Sequence, residues 1–123
     1  MAGRDVIEKL GREVTILPSL LLCDFANLQS EVEQLEQAGI RGLHLDVMDG
    51  HFVPALTFGP AMVGALRPWT DVALDVHMMV AEPGRYVREL AAAGANLVAV
   101  DEAYADFAGV TAAGLVGDHP NLV

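Results

Sequence analysis

Basic residues are scarce in this chain of 123. Seven Lys and Arg stand against 17 Asp and Glu, giving a formal net charge of −10. That balance repels polyanions, so neither nucleic acid nor an anionic membrane surface is expected as a partner. The basic side chains (Arg4, Lys9, Arg12, Arg41, Arg67, Arg85 and Arg88) are also scattered and build no patch. Cysteine is nearly absent. The lone Cys23 cannot close an internal disulfide, which points to a reducing compartment and a cytoplasmic protein. Its ordinary role is that of a small buried hydrophobe. Met1 to Glu13 mixes charges and has no apolar stretch of the kind a secretory signal needs. The longest apolar runs are broken by Pro18, Ser19 and Asp24, well short of the roughly 20 residues of a membrane-spanning helix. Apolar side chains, in contrast, are plentiful. At 53% hydrophobic, the chain has enough of them for the core of a single domain and too many for disorder.

Their arrangement predicts alternating strands and helices. Val14 to Leu22 is nearly continuous in apolar residues, as in a strand covered on both sides. Asp24 suits an N-cap, and Phe25, Leu28, Val32 and Leu35 follow at helical spacing until Gly39. Arg41 to Met48 is the second strand, and Asp49 to Gly59 the loop after it. Pro60 fits the first turn of a helix carrying Met62, Val63 and Leu66, which Pro68 stops. Val72 to Met79 is the third strand, and Pro83 opens a helix with Tyr86, Leu90 and Ala93 on one face, closed by Gly94. Asn96 to Val100 is the fourth strand. Ala105 to Ala113 is expected as a fourth helix that buries Phe107 and Val110.

The resulting βαβαβαβα order predicts a parallel sheet. An open doubly wound sheet binds nucleotides through a glycine-rich first turn, and Leu22-Cys23-Asp24 has no such glycines. A (β/α)8 barrel carries its chemistry on inward residues near the carboxyl ends of its strands. Ser19, Asp46, Met48, His77 and Met79 fall at such positions, so the barrel is the expected architecture.

Two segments carry the chemical interest. In His44-Leu45-Asp46-Val47-Met48, the residues His44, Asp46 and Met48 share one strand face, and Leu43, Leu45 and Val47 the other. Asp75, His77 and Met79 repeat the alternation against Leu74, Val76 and Met78. An imidazole and a carboxylate on one strand, with an imidazole on the next, suit a divalent metal. Each histidine on its own is more often a hydrogen-bonded core residue than a ligand, and the two matched strands together bring the metal reading level with it. Burying Asp46 without a partner, however, costs a few kcal/mol, about 2 or more.

The motifs Leu17-Pro18-Ser19-Leu20-Leu21, His44 to Pro54, Leu56-Thr57-Phe58-Gly59-Pro60 and Leu74 to Met79 resemble the ribulose-phosphate 3-epimerase family in residues, order and spacing, from about Val14 to Val100. The resemblance implies a (β/α)8 barrel of which this chain covers about the first four β/α units. It implies interconversion of D-ribulose 5-phosphate and D-xylulose 5-phosphate, a small-molecule ketose phosphate, through an enediolate. It also implies one divalent metal (Zn, Fe, Mn or Co) held by His44, Asp46 and His77, with Asp46 as one of two proton carriers. Ser19 and His77 are then expected to contact substrate, and Met48 and Met79 to line the site. Metal-assisted proton removal at C3 requires charge stabilisation beside the ketone and, for inversion, a second proton donor on the opposite face.

Departures accompany the match. Ala55 stands where the family usually has Asn, and Asp101 follows Val100 where the family continues with His. Asp101 and Asp106 are expected as solvated loop or cap residues, His51 and His119 as loop residues, and Asp75 as an inward-facing residue in a supporting role. The family's opposite-face carboxylate and phosphate site belong to later strands, so the isolated chain is expected to be incomplete and weakly active or inactive. Three parts are expected: an N-terminal extension over 1–13, the epimerase-like half-barrel over 14–100 and a divergent tail over 101–123. Two other readings are a relative acting on allulose 6-phosphate and a non-catalytic, metal-binding half-barrel. A homo-oligomer is expected, because four strands leave open sheet edges.

Overall fold

Parallel strand pairing organises the chain. The structure, a computed structural model, describes residues 8–101. Strands β1 (Gly42–Met48), β2 (Ala73–Met79) and β3 (Leu97–Val100) form one sheet in the order β1-β2-β3. Helices α1 (Leu28–Gln37), α2 (Pro60–Leu66) and α3 (Val87–Ala93) precede β1, β2 and β3. Short 3-10 turns sit at Phe25–Asn27, Arg67–Trp69 and Pro83–Arg85. The order is that of successive units of a (β/α)8 barrel.

The boundaries follow local chemistry. The Asp24 side chain accepts the Ala26 N–H at 3.0 Å and caps the turn that leads into α1. Pro60 occupies the first turn of α2, and Gly94 caps α3 in a left-handed conformation at φ +114°. The helix expected over 105–113 lies outside the described residues.

The run Val14 to Leu22 is not a strand. It touches β1 at a single parallel bridge, between Ser19 and His44. There the His44 N–H donates to Pro18 O at 2.8 Å and the Leu20 N–H to His44 O at 3.0 Å. Pro18 has no N–H to continue the ladder, and Val14 and Ile16 are 100% and 78% exposed. Apolar character alone does not make a strand where no second layer covers it.

The two faces of the sheet have separate tasks. Leu43, Leu45 and Val47 alternate with His44, Asp46 and Met48 along β1, and the first set is fully or almost fully buried. Leu74, Val76 and Met78 do the same on β2. These side chains pack against Val32 of α1, Val63 and Leu66 of α2, and Val87 and Leu90 of α3. Cutting Leu45 to Ala would cost about 2–5 kcal/mol at such a site. The other face, with its imidazoles and carboxylates, is half-buried.

Arg67 fastens the amino-terminal end of the sheet. Its guanidinium donates to Thr70 O at 2.6 Å, Val72 O at 2.8 Å, Gly94 O at 3.0 Å and Asn96 Oδ1 at 2.9 Å. Asn96 Oδ1 also accepts the Leu74 N–H at 2.9 Å, so one cluster fixes the entries to β2 and β3. Burial holds Arg67 below its ordinary pKa, partly offset by nearby Asp71. Arg67→Ala is expected to destabilise the fold by about 3 kcal/mol, because several carbonyls lose a charged donor. Arg67→Lys should restore little of that, since one ammonium cannot span the four acceptors. Urea denaturation of the three proteins checks both expectations.

Candidate metal centre at the carboxyl ends of the strands

The register of β1 against β2 assembles the centre. His44 lies opposite Asp75, Asp46 opposite His77, and Met48 opposite Met79. Because side chains alternate along a strand, all six project from the same face. His44, Asp46 and His77 each offer a ligand atom, and these atoms lie within 4.8 Å of one another.

Asp46 is the hub. Its Oδ2 accepts the Ser19 hydroxyl at 2.5 Å. Its Oδ1 lies 3.2 Å from His44 Nε2 and 3.6 Å from His77 Nδ1. The carboxylate is 13% exposed and the two imidazoles 27% and 28%. The imidazole rings stand 5.9 Å apart, tilted by 48°. On the far side of His44, Nδ1 lies 2.7 Å from Asp75 Oδ2. A carboxylate only accepts, so a neutral His44 donates from Nδ1 and turns its Nε2 lone pair toward Asp46. Two acceptors then face each other at 3.2 Å with no hydrogen between them. A second proton on the imidazole or a divalent cation would each remove that conflict, and the imidazole–carboxylate set suits a divalent ion. The backing carboxylate on His44 is the support such a ligand ordinarily has.

The expected residues sort clearly. Ser19, His44, Asp46 and His77 meet directly, and Asp75 takes the supporting position foreseen for it. Met48 and Met79 are half-buried, paired across the strands one step nearer the mouth. His51 is exposed, as expected of a loop residue. His119 and Asp106 lie outside the described residues. Asp101 departs from expectation: it is not merely solvated, since its Oδ1 lies 3.1 Å from His77 Nε2. Its place just after β3 brings it beside β2, a proximity that only the tertiary pairing creates.

Two further residues escaped the sequence reading. The Thr57 hydroxyl donates to Asp46 O at 2.6 Å and accepts the Met48 N–H at 2.9 Å, pinning the returning loop to the end of β1. Asp49 Oδ1 accepts the His51 and Phe52 N–H groups at 2.8 and 2.9 Å, and its Oδ2 accepts the Ala81 N–H at 2.8 Å. One carboxylate thus shapes the loop after β1 and ties it to the segment leaving β2. An Asp-Gly pair ordinarily marks a turn, which hides the second attachment.

The sequence is similar to known proteins of one family. A sequence model described as the ribulose-phosphate 3 epimerase family matches residues 15–111. The ribulose-phosphate 3-epimerase of Bacillus subtilis is 49% identical over 87 residues, covering 71% of this chain and 40% of that protein. That of Synechocystis is 44% identical over 91 residues, 74% of this chain and 40% of the relative. The chloroplastic ribulose-5-phosphate-3-epimerase of Arabidopsis thaliana is 48% identical over 88 residues, 72% of this chain and 31% of the relative. The chain therefore spans less than half the length of these relatives.

The amide cradle gives Asp49 a testable pH signature. The N–H of Ala81, followed by those of His51 and Phe52, holds its carboxyl below the ordinary range. A lowered folded-state pKa means that the folded protein binds this proton less readily than the unfolded chain. The contribution is then complete above the ordinary value of about 3.9 and is lost as pH falls through the lower folded value. Asp49→Asn keeps one accepting oxygen and loses the other attachment. Its stability deficit should be widest near neutrality and shrink below about pH 4, as read from denaturation midpoints at each pH.

Proposed function

Because this chain belongs to the ribulose-phosphate 3-epimerase family, we propose that its strand ends form the metal-bearing half of a ketose-phosphate 3-epimerase site. The observation that carries the reading is the convergence of His44, Asp46 and His77, with Asp46 as their common neighbour. The proposed reaction interconverts D-ribulose 5-phosphate and D-xylulose 5-phosphate. His44, Asp46 and His77 would hold one divalent ion, of a kind that accepts imidazole and carboxylate ligands. When bound, that ion would supply positive charge to stabilise the developing enediolate.

The chain's own residues handle the proton. Asp46 takes the C3 proton, and the C–H electron pair moves into the C2–C3 bond as the carbonyl oxygen gains charge. Ser19 donates to Asp46 Oδ2 and orients the carboxylate, leaving Oδ1 toward the imidazoles. The same hydroxyl and His77 would contact the substrate. Met48 and Met79 would present soft, apolar surface that excludes water from the enediolate. Inversion requires delivery of a proton to the opposite face, a task we assign to a carboxylate outside residues 8–101.

A one-faced site has a distinctive outcome. In D2O, the purified 123-residue chain loaded with Co2+ or Zn2+ is expected to exchange the C3 proton of one epimer for deuterium, with little of the other epimer formed. Proton NMR follows both events. Asp46→Asn should slow the exchange by about 10³-fold, the scale of a lost general base. A chain that binds neither ion and exchanges neither epimer would overturn the reading.

Self-association belongs to the same proposal. Val14, Ile16 and Leu22 are 100%, 78% and 95% exposed, apolar surface that a second copy would cover. Light scattering should then give at least twice the 13.0 kDa of one chain, and a mass of one chain would overturn this part of the proposal.

A further inference from the structure

We propose that Asp101 is a positioning residue that fixes the tautomer of His77, so that the imidazole turns its Nδ1 lone pair into the centre. The inference rests on the metal-centre reading above and goes beyond it, because Asp101 lies where the chain departs from the family pattern. His77 is opposite Ala99 in the β2–β3 register. Asp101 follows Ala99 by two residues, which returns it to the same face one step nearer the mouth. Ala99 is small, so the imidazole has room to lean toward β3. Asp101 Oδ1 then meets His77 Nε2 at 3.1 Å while Nδ1 lies 3.6 Å from Asp46 Oδ1.

The physical argument is one of complementary roles. A neutral imidazole carries hydrogen on one nitrogen and a lone pair on the other, and its neighbours decide which. A carboxylate accepts and never donates when ionised, so the nitrogen facing it keeps the hydrogen. Asp75 therefore selects Nδ1–H in His44, and Asp101 selects Nε2–H in His77. The two tautomers are opposite, yet each leaves its lone pair pointing at Asp46. One device is used twice: His44 on β1 is backed by Asp75 on β2, and His77 on β2 by Asp101 just after β3. Asp101 is the more exposed of the two, with its side chain 39% accessible against 16% for Asp75.

The test separates orientation from mere contact. Long-range proton–nitrogen correlation spectra of the metal-free chain, at about pH 8.5 where histidine is ordinarily neutral, report which ring nitrogen carries hydrogen. His77 is expected as the Nε2–H tautomer in the wild type and as a mixture in Asp101→Ala. Asp101→Asn keeps an accepting oxygen and should recover most of the Nε2–H form. The amides of β3 serve as the folding control in the same spectra. Titration with Co2+ alone should show affinity about 10–100-fold weaker in Asp101→Ala, with Asp101→Asn between it and the wild type. Unchanged His77 tautomer and unchanged Co2+ affinity in folded Asp101→Ala would overturn the proposal while leaving the metal centre standing. If instead the wild type took up no Co2+ but the tautomer depended on Asp101, the metal-centre reading would fail and the orienting role would hold.

Discussion

Everything at the mouth depends on the in-register parallel pairing of β1 with β2. It sets Asp46 across from His77 and His44 across from Asp75 without any loop having to fold correctly first. β2 is moreover held from both sides, pairing with β1 along one edge and with β3 along the other. A shift of one residue would send the imidazoles into the helix-packed core and turn Leu45 and Val76 outward. The buried leucines and valines on the reverse face make that slip prohibitive. Hydrophobic packing on one side thus holds the chemistry in place on the other.

A layered arrangement follows from that division. The reverse face and α1, α2 and α3 supply cohesion. The inner face gathers Ser19, His44 and His77 around Asp46. Above it, Thr57 and Asp49 fix the returning loop, and Asp49 ties that loop to the backbone beyond β2. Backbone amides and carbonyls of the loop are thereby committed to named partners.

Much of this was legible in the sequence, for physical reasons. Period-two alternation in β1 and β2 survives in the structure because one face is truly buried and the other is not. Pro60 and Gly94 mark helix ends because their backbone geometry permits little else there. The run Val14 to Leu22 misled because apolar content reports burial, whereas a strand also needs a partner ladder, which here is a single bridge. Asp101 and the long reach of Asp49 were invisible for a different reason. Their partners lie 24 and 32 residues away, and no local period encodes such a meeting. The metal trio was readable as residue types; which carboxylate backs which imidazole was not.

The Arg67 cluster sits at the end of the sheet opposite the imidazoles, and it gathers its acceptors from Thr70, Val72, Gly94 and Asn96. Robustness and reactivity are therefore housed at separate poles of the same strands. Substitutions at the imidazole end leave the Arg67 contacts untouched. Drift at the anchoring pole is felt by the whole molecule, whatever chemistry the other end performs.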